Sequence, residues 1–344
     1  MSTQAAPLSP LALPGNRYPT GWFQVAWSDE IAVGEVHPVQ YFGEDIVLWR
    51  GESGVLSATD AYCLHLGGNL GVKGTVCGED IVCPWHGWNW SGEGRNTLIP
   101  YSAQSCKPNL QLRVWPLREA YGCVLLWHDL AGGPPAWEPP AFEDLDGDDC
   151  YPIAPDMRVV HRVKAHPQLV MENGADLFHV RTVHGAGEVP EIRRFEFDGH
   201  RFSADVVITY GAGKDSTWLT PDGAVEAVVE FNAAGIGQGW VRWPRELLQS
   251  IQLTNVTPVD EVYSDYWFAM TIKRATPDDD TPSGLLRKMI DHQMATIEQD
   301  FFTWENMKVL HTPNFAPEEA KHYAAMRKWA WQFYPAPTNG NGAT

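Results

Sequence analysis

Two short segments constrain this chain more than any other feature. Cys63-Leu64-His65 and Cys83-Pro84-Trp85-His86 stand seventeen residues apart, and each is followed closely by glycine, at Gly67 and Gly87. Each segment offers one thiolate and one imidazole. These ligands suit soft and borderline transition metals. The spacing allows two opposed loops whose thiolates hold one iron of a two-iron cluster and whose imidazoles hold the other. A structural zinc site of Cys2His2 composition is the competing metal reading, although zinc fingers usually pair Cys with Cys and His with His. Burial of all four residues without a metal is the third reading. Cys77, Cys106, Cys123 and Cys150 lack such partners and read as small buried apolar residues.

Composition narrows the field. The chain has 344 residues, room for about two domains. Its 25 basic against 43 acidic side chains give a formal charge of −18, which repels phosphate backbones and excludes nucleic acid as an expected partner. No apolar run approaches the roughly 18 residues of a membrane span. The first basic side chain is Arg17, so the start lacks the charged region of a secretory signal, and the expected location is cytoplasmic. Six cysteines in such a chain argue against a disulfide framework. The 16 Trp supply rigid apolar surface, used more often for core than for a ligand pocket.

Along the chain, residues 17–130 read as short strands punctuated by glycine, among them Ile46-Val47-Leu48-Trp49, Val55-Leu56-Ser57-Ala58 and Val124-Leu125-Leu126-Trp127. Residues 131–155 are proline-rich and acidic, without periodicity, and read as a connector. Residues 156–334 form a second domain, and 335–344 a frayed tail. Within the second domain, Pro167 to His184 has helical spacing, halted by Gly185 and Gly187. Val225 to Phe231, Ser250 to Leu253 and Tyr263 to Ile272 read as strands of one antiparallel sheet. After Pro282, Leu285, Leu286, Met289, Ile290, Met294, Ile297, Phe301 and Trp304 mark an amphipathic helix of roughly 25 residues, expected across that sheet.

A second constellation lies in the helical stretch, where Asp176, His179 and His184 form Asp-x2-His-x4-His. Asp176 and His179 would share a helix face. His179 and His184 stand about 140° apart around an ideal helix, so convergence on one metal requires the helix to end or distort between them. Two imidazoles and one carboxylate make a facial triad with open positions, the arrangement used by non-haem Fe(II). Spacing leaves four carboxylates in play for the third ligand: Asp291, Glu298, Asp300 and Glu305.

The paired Cys/His loops, followed about a hundred residues later by the second motif, resemble the oxygenase component of Rieske non-haem iron oxygenases over nearly the whole chain. The segments Ala61-Tyr62-Cys63, Gly67-Gly68-Asn69-Leu70, Ile99-Pro100-Tyr101 and Arg327 to Tyr334 are similar to the branch of 3-ketosteroid 9α-hydroxylase and the cholesterol 7-desaturases. The resemblance implies an α+β protein, with an N-terminal all-β Rieske [2Fe–2S] domain. A C-terminal helix-grip (START-like) catalytic domain follows, with an antiparallel sheet and a long C-terminal helix. It implies Cys63, His65, Cys83 and His86 as cluster ligands, and His179, His184 and Asp300 as ligands of a mononuclear Fe(II). Asp176 would bridge His179 to His86 of an adjacent subunit, in a homotrimer, and Asn173 would lie near the iron. Gly68, Trp85 and Trp88 stand where high-potential relatives carry a disulfide staple and a hydroxyl, which points toward the low end of the Rieske potential range.

The implied activity is reductive O2 activation. Electrons come from a separate NAD(P)H-dependent reductase, with or without a ferredoxin, and one oxygen atom enters a C–H bond of a hydrophobic substrate such as a steroid or terpenoid. Desaturation of a sterol-like substrate is the alternative. An electron carrier using the Rieske centre alone is a further reading, which the second motif opposes.

Overall fold

The computed structural model describes residues 18–142, 149–308, 310 and 313–334. The tail 335–344, the start through Arg17 and connector residues 143–148 lie outside the described residues. Two compact units divide the chain: Trp22–Pro139, and Pro140 onward together with the residues through Gly21.

The first unit is all-β. Its strands are β1 (Gly21–Trp27), β2 (Val36–Tyr41), β3 (Glu44–Arg50), β4 (Leu56–Asp60), β5 (Thr75–Cys77), β6 (Asp80–Val82), β7 (Asn89–Trp90), β8 (Asn96–Leu98), β9 (Leu117–Ala120) and β10 (Cys123–His128). They form three sheets, ordered β1-β10-β9, β2-β3-β4 and β5-β6-β7-β8. The β2–β3 hairpin turns at Phe42 and Gly43, with φ of 58° and 72°, and β9–β10 at Tyr121 and Gly122, with φ of 43° and 79°. Positive φ at both central residues gives the turn whose twist matches the flanking strands. The run Ile46-Val47-Leu48-Trp49 is wholly buried in β3, as an uninterrupted apolar strand requires. Val47, Trp49, Leu70, Ile81 and Trp90 pack into one cluster with Cys63 and Cys83, so both thiols are part of the core. Of the other four cysteines only Cys123 is buried; Cys77 is exposed, and Cys106 and Cys150 are half-buried, because they lie on short edge or loop segments with one side open. The expectation of burial therefore fails for three of them.

The second unit is a seven-stranded antiparallel sheet with helices. Its strands are β11 (Arg158–Val163), β12 (Glu191–Asp198), β13 (Arg201–Tyr210), β14 (Val225–Ala234), β15 (Gln238–Trp243), β16 (Ser250–Pro258) and β17 (Ser264–Ile272), in the order β11-β17-β16-β15-β14-β13-β12. The helices are α1 (Pro167–Met171), α2 (His179–Thr182), α3 (Gly284–Asn306) and α4 (Pro317–Ala330). α3 buries Met289, Ile290, Gln293, Asp300, Phe301 and Trp304, residues that recur at three, four and seven and so form one stripe. Phe301 stacks on His161 of β11 at 4.2 Å, and Trp304 lies 5.6 Å from Tyr266 of β17. Each such aromatic side chain contributes about 1.5–3 kcal/mol by burial. The long helix is thus fastened to the sheet at its C-terminal half.

The stretch 167–184 is not one helix. α1 passes into a single 3₁₀ turn at Glu172–Ala175, Asp176 is extended (φ −97°, ψ 96°), and α2 begins at His179. Asp176 causes the break, because its Oδ1 accepts from the Phe178 and His179 amides at 3.1 and 3.3 Å and competes with helical pairing. Asp176 and His179 therefore do not share a helix face, contrary to the spacing argument. Among the described residues, no helix is long and apolar enough to cross a membrane.

Candidate metal centres

The two Cys/His segments of the first unit fold as one turn built twice. In the loop after β4, Cys63 donates its amide to Gly68 O at 2.9 Å and accepts from Gly67 N at 2.9 Å. In the loop between β6 and β7, Cys83 donates to Trp88 O at 2.8 Å and accepts from Gly87 N at 3.0 Å. The repeated pattern needs the left-handed conformation four residues after each cysteine; Gly67 (φ 74°) and Gly87 (φ 71°) supply it. The same pairing thus presents the side chains of both loops alike.

Cys63, His65, Cys83 and His86 come together. The imidazoles of His65 and His86 are 4.6 Å apart edge to face. A methyl group on Gly68 would lie 3.2 Å from Cys83 Sγ, so the first loop presses against the thiol of the second. Burial pushes the Cys63 thiol up, and the adjacent Cys83 adds to the shift. Two neighbouring buried thiols ionise together only around a cation. His65 Nδ1 is buried with no hydrogen-bond partner, and its ring stacks on Trp88 at 4.5 Å. An orphaned imidazole nitrogen beside two buried thiols fits an iron–sulfur group that takes both kinds of ligand.

In the second unit, His179, His184 and Asp300 bring three ligand atoms within 4.8 Å of one another. Nε2 of His184 lies 3.4 Å from Asp300 Oδ1, and Nε2 of His179 lies 3.9 Å from the same oxygen. Ligands about 2.0–2.2 Å from a divalent ion lie within about 4.4 Å of each other, so both pairs can share one metal. α2 ends before His184, whose backbone follows the last helical turn, and this is how residues five apart converge.

The surrounding groups orient the rings. His184 Nδ1 lies 3.0 Å from Gln299 Oε1, an acceptor that keeps the proton on Nδ1 and leaves the Nε2 lone pair toward Asp300. Burial alone would lower the His184 pKa, but Asp300 and Gln299 hold it above its ordinary value. His179 Nδ1 faces Asp176 Oδ2 at 3.6 Å. Burial opposes ionisation of Asp176, yet His179 wins and holds its carboxyl below the ordinary value. Asn173 Nδ2 donates to Asp300 Oδ2 at 3.2 Å, which gives Asn173 a defined partner at the triad.

The structure also separates the four carboxylates left open by spacing. Asp300 is 4% exposed and faces both histidines. Asp291 is exposed and pairs with Arg287, Glu298 is exposed, and Glu305 pairs with His161. Gln299 was not anticipated, although its place beside Asp300 was the available signal. Glu172 and Arg327, a buried ion pair close to the triad, were also missed.

An all-β unit carrying paired Cys/His loops, and a helix-over-sheet unit carrying two histidines and an aspartate, define a class: terminal oxygenases with a Rieske cluster and a mononuclear iron. Comparison with known proteins gives the same class. Residues 21–116 match the Rieske [2Fe-2S] domain, and residues 126–334 the 3-ketosteroid 9α-hydroxylase C-terminal domain. The chain is 30% identical over 341 residues to a cholesterol 7-desaturase of Bombyx mori, covering 92% of this chain and 70% of the relative. It is 28% identical over 335 residues to a probable 3-ketosteroid-9-alpha-monooxygenase oxygenase component of Rhodococcus rhodochrous, covering 93% and 81%. Crystalline dicamba monooxygenase shares the fold, with a TM-score of 0.74, 17% identity, and coverage of 92% and 98%. The chain belongs to the Rieske non-haem iron oxygenases, in the branch whose C-terminal domain is that of the 3-ketosteroid 9α-hydroxylases. The match to the Rieske [2Fe-2S] domain gives it that cluster as a cofactor, and the chain is an enzyme of this oxygenase family.

Proposed function

We propose that Cys63, His65, Cys83 and His86 hold the cluster and that His179, His184 and Asp300 hold the iron. In this reading the protein hydroxylates a rigid apolar molecule of the steroid or terpenoid kind. The convergence of His179, His184 and Asp300, three donor atoms from two separate segments, carries the reading. When bound there, iron supplies the reduction of O2 with electrons drawn through the cluster.

The chain's own residues prepare that chemistry. Gln299 fixes the proton of His184 on Nδ1, and Asn173 occupies one oxygen of Asp300 so that the other faces the histidines. Asp176, ionised and beside His179 Nδ1, orients that ring and links it to the first helical amides of α2. The apolar layer of Val229, Trp243, Phe268 and Met270, packed with Phe301 and Trp304 of α3, keeps water from the core beside Asp300. The names of the relatives, which speak of 3-ketosteroids and cholesterol, support a steroid-like skeleton.

Electrons come from a separate NAD(P)H-dependent reductase, with or without a ferredoxin. The homotrimer is part of the same proposal: Leu66 and Trp85, beside the cluster ligands, are each 61% exposed, and such an apolar rim suits contact with another copy of the chain. Desaturation remains the second reading, favoured by the 30% identity to a cholesterol 7-desaturase.

The test is turnover of a steroid and terpenoid panel by the purified protein with a ferredoxin/reductase pair and labelled O2. Gain of one labelled oxygen supports hydroxylation, and loss of two hydrogens supports desaturation. Retained O2 uptake after His179→Ala would refute the iron assignment.

A further inference from the structure

Helix α4 contributes no residue to either donor set, yet it meets the segment behind the iron triad at two points. Tyr323 and Arg327 are four apart on α4 and share a helix face. Glu172 and Asp176 are four apart on the turn that leads into α2. Arg327 Nε donates to Glu172 Oε1 and Nη2 to Oε2, both at 2.8 Å, with both side chains about 95% buried. Gln168 Nε2 donates to the same Oε1 at 2.9 Å. At the second point Tyr323 lies beside Asp176; burial first, and then that carboxylate, raise the Tyr323 hydroxyl far above its ordinary value. Phe315 ties the two contacts together, stacked on Tyr323 at 4.6 Å and lying 5.5 Å from the Arg327 guanidinium.

Between these contacts lies a turn that is weak by itself. A 3₁₀ turn of four residues has poor hydrogen-bond geometry, and Gly174 adds backbone freedom. That turn carries Asn173, which bonds Asp300, and delivers Asp176, which faces His179. A buried ion pair stabilises a fold poorly compared with apolar residues of the same size. What a bidentate guanidinium–carboxylate pair supplies is a fixed direction.

We propose that α4 is a positioning element of the iron site: the Arg327–Glu172 pair, with Gln168 on the same carboxylate, fixes the 172–176 turn and so holds Asn173 against Asp300 and Asp176 against His179. The proposal rests on the reading of His179, His184 and Asp300 as iron ligands. Arg327 touches neither metal nor substrate, and its effect passes through the turn.

The test uses the full-length protein with its cluster intact. Fe(II) affinity is measured by competition with a chelator, and site geometry by the visible spectrum of bound Co(II). The variants are Glu172→Met with Arg327→Met, Arg327→Lys and, at a half-buried ion pair elsewhere, Arg194→Met. The double variant, which leaves no charge unpaired, is expected to melt near the parent but to bind Fe(II) about tenfold more weakly with an altered Co(II) spectrum. Arg327→Lys should fall between parent and double variant, and Arg194→Met should match the parent. Parent affinity and parent spectrum in both the double variant and Arg327→Lys would overturn the proposal. If the double variant does not fold, Arg327→Lys, which keeps the charge and loses the two-pronged contact, decides alone. Failure of the underlying reading looks different: the parent would bind no Fe(II), or would keep it after His184→Ala.

Discussion

The amide of Asn173 reaches across 127 positions of sequence to donate to Asp300 Oδ2 at 3.2 Å, joining the turn before α2 to the middle of α3. The bond uses one carboxylate oxygen and leaves Oδ1 toward both histidines. Asn173→Ala is expected to lower Fe(II) affinity or turnover about 10–100-fold while the cluster is retained. Iron content and single-turnover rates check this, and unchanged values of both would remove Asn173 from the site.

Burial and geometry choose Asp300 among four acidic residues on one helix. Asp300→Asn should abolish stoichiometric iron at the triad and leave the Rieske electron spin resonance signal intact. Asp291→Asn and Glu305→Gln should keep the iron, because their partners are Arg287 and His161. Iron analysis of the three purified variants separates them, and iron retained by Asp300→Asn sinks the assignment.

The glycines of the twin loops differ in what surrounds them. At Gly67 an added methyl meets nothing within 4 Å, whereas at Gly87 it meets Pro100 Cγ at 3.1 Å. Gly67→Ala should carry only the left-handed conformation cost, about 1–2 kcal/mol. Gly87→Ala should cost more. Gly68 has ordinary backbone geometry, so Gly68→Ala acts through its contact with Cys83 Sγ and should lower cluster content. Melting temperature and visible absorbance measure the three, and equal behaviour at Gly67 and Gly87 would contradict the packing described.

Acid should act on the first unit through Arg50 and Glu119. The guanidinium beside Glu119, at 2.7 Å, holds its carboxyl below the ordinary range against the opposing effect of burial. A depressed folded pKa means that the stabilisation is complete above the unfolded value near about 4.3 and is lost as pH falls through the folded value. Thermal melts monitored by the visible circular dichroism of the cluster should therefore weaken below that pH. Glu119→Gln should melt lower at neutral pH and show a shallower acid dependence, and an identical slope would reject the linkage.

Much of the candidate site was legible because its proposed ligands come in local groups. Cys63 with His65, Cys83 with His86, and His179 with His184 each lie within six residues, and strands such as Ile46 to Trp49 announce themselves by continuous apolar runs. Asp300 was harder, since a helix repeats its acidic residues at similar spacing and only the fold tells which one faces inward. The break at Asp176 was hidden because a capping side chain and a helical one look alike in sequence. α4 escaped detection for a related reason: its buried face includes Arg327, and a stripe interrupted by a cation does not read as amphipathic. β11 and β12 carry alternating charges on their open faces, which diluted their apolar signal.

α3 carries Asp300 in the same stripe as Phe301 and Trp304, which fasten the helix to β11 and β17. Grip on the ion and cohesion of the apolar layer are therefore settled by one rigid rod. Anything that binds the native state alone raises its resistance to heat in proportion to how far its concentration exceeds the dissociation constant. Loading with iron should accordingly toughen the second unit against melting, and stripping it should loosen aromatic side chains that never touch the ion.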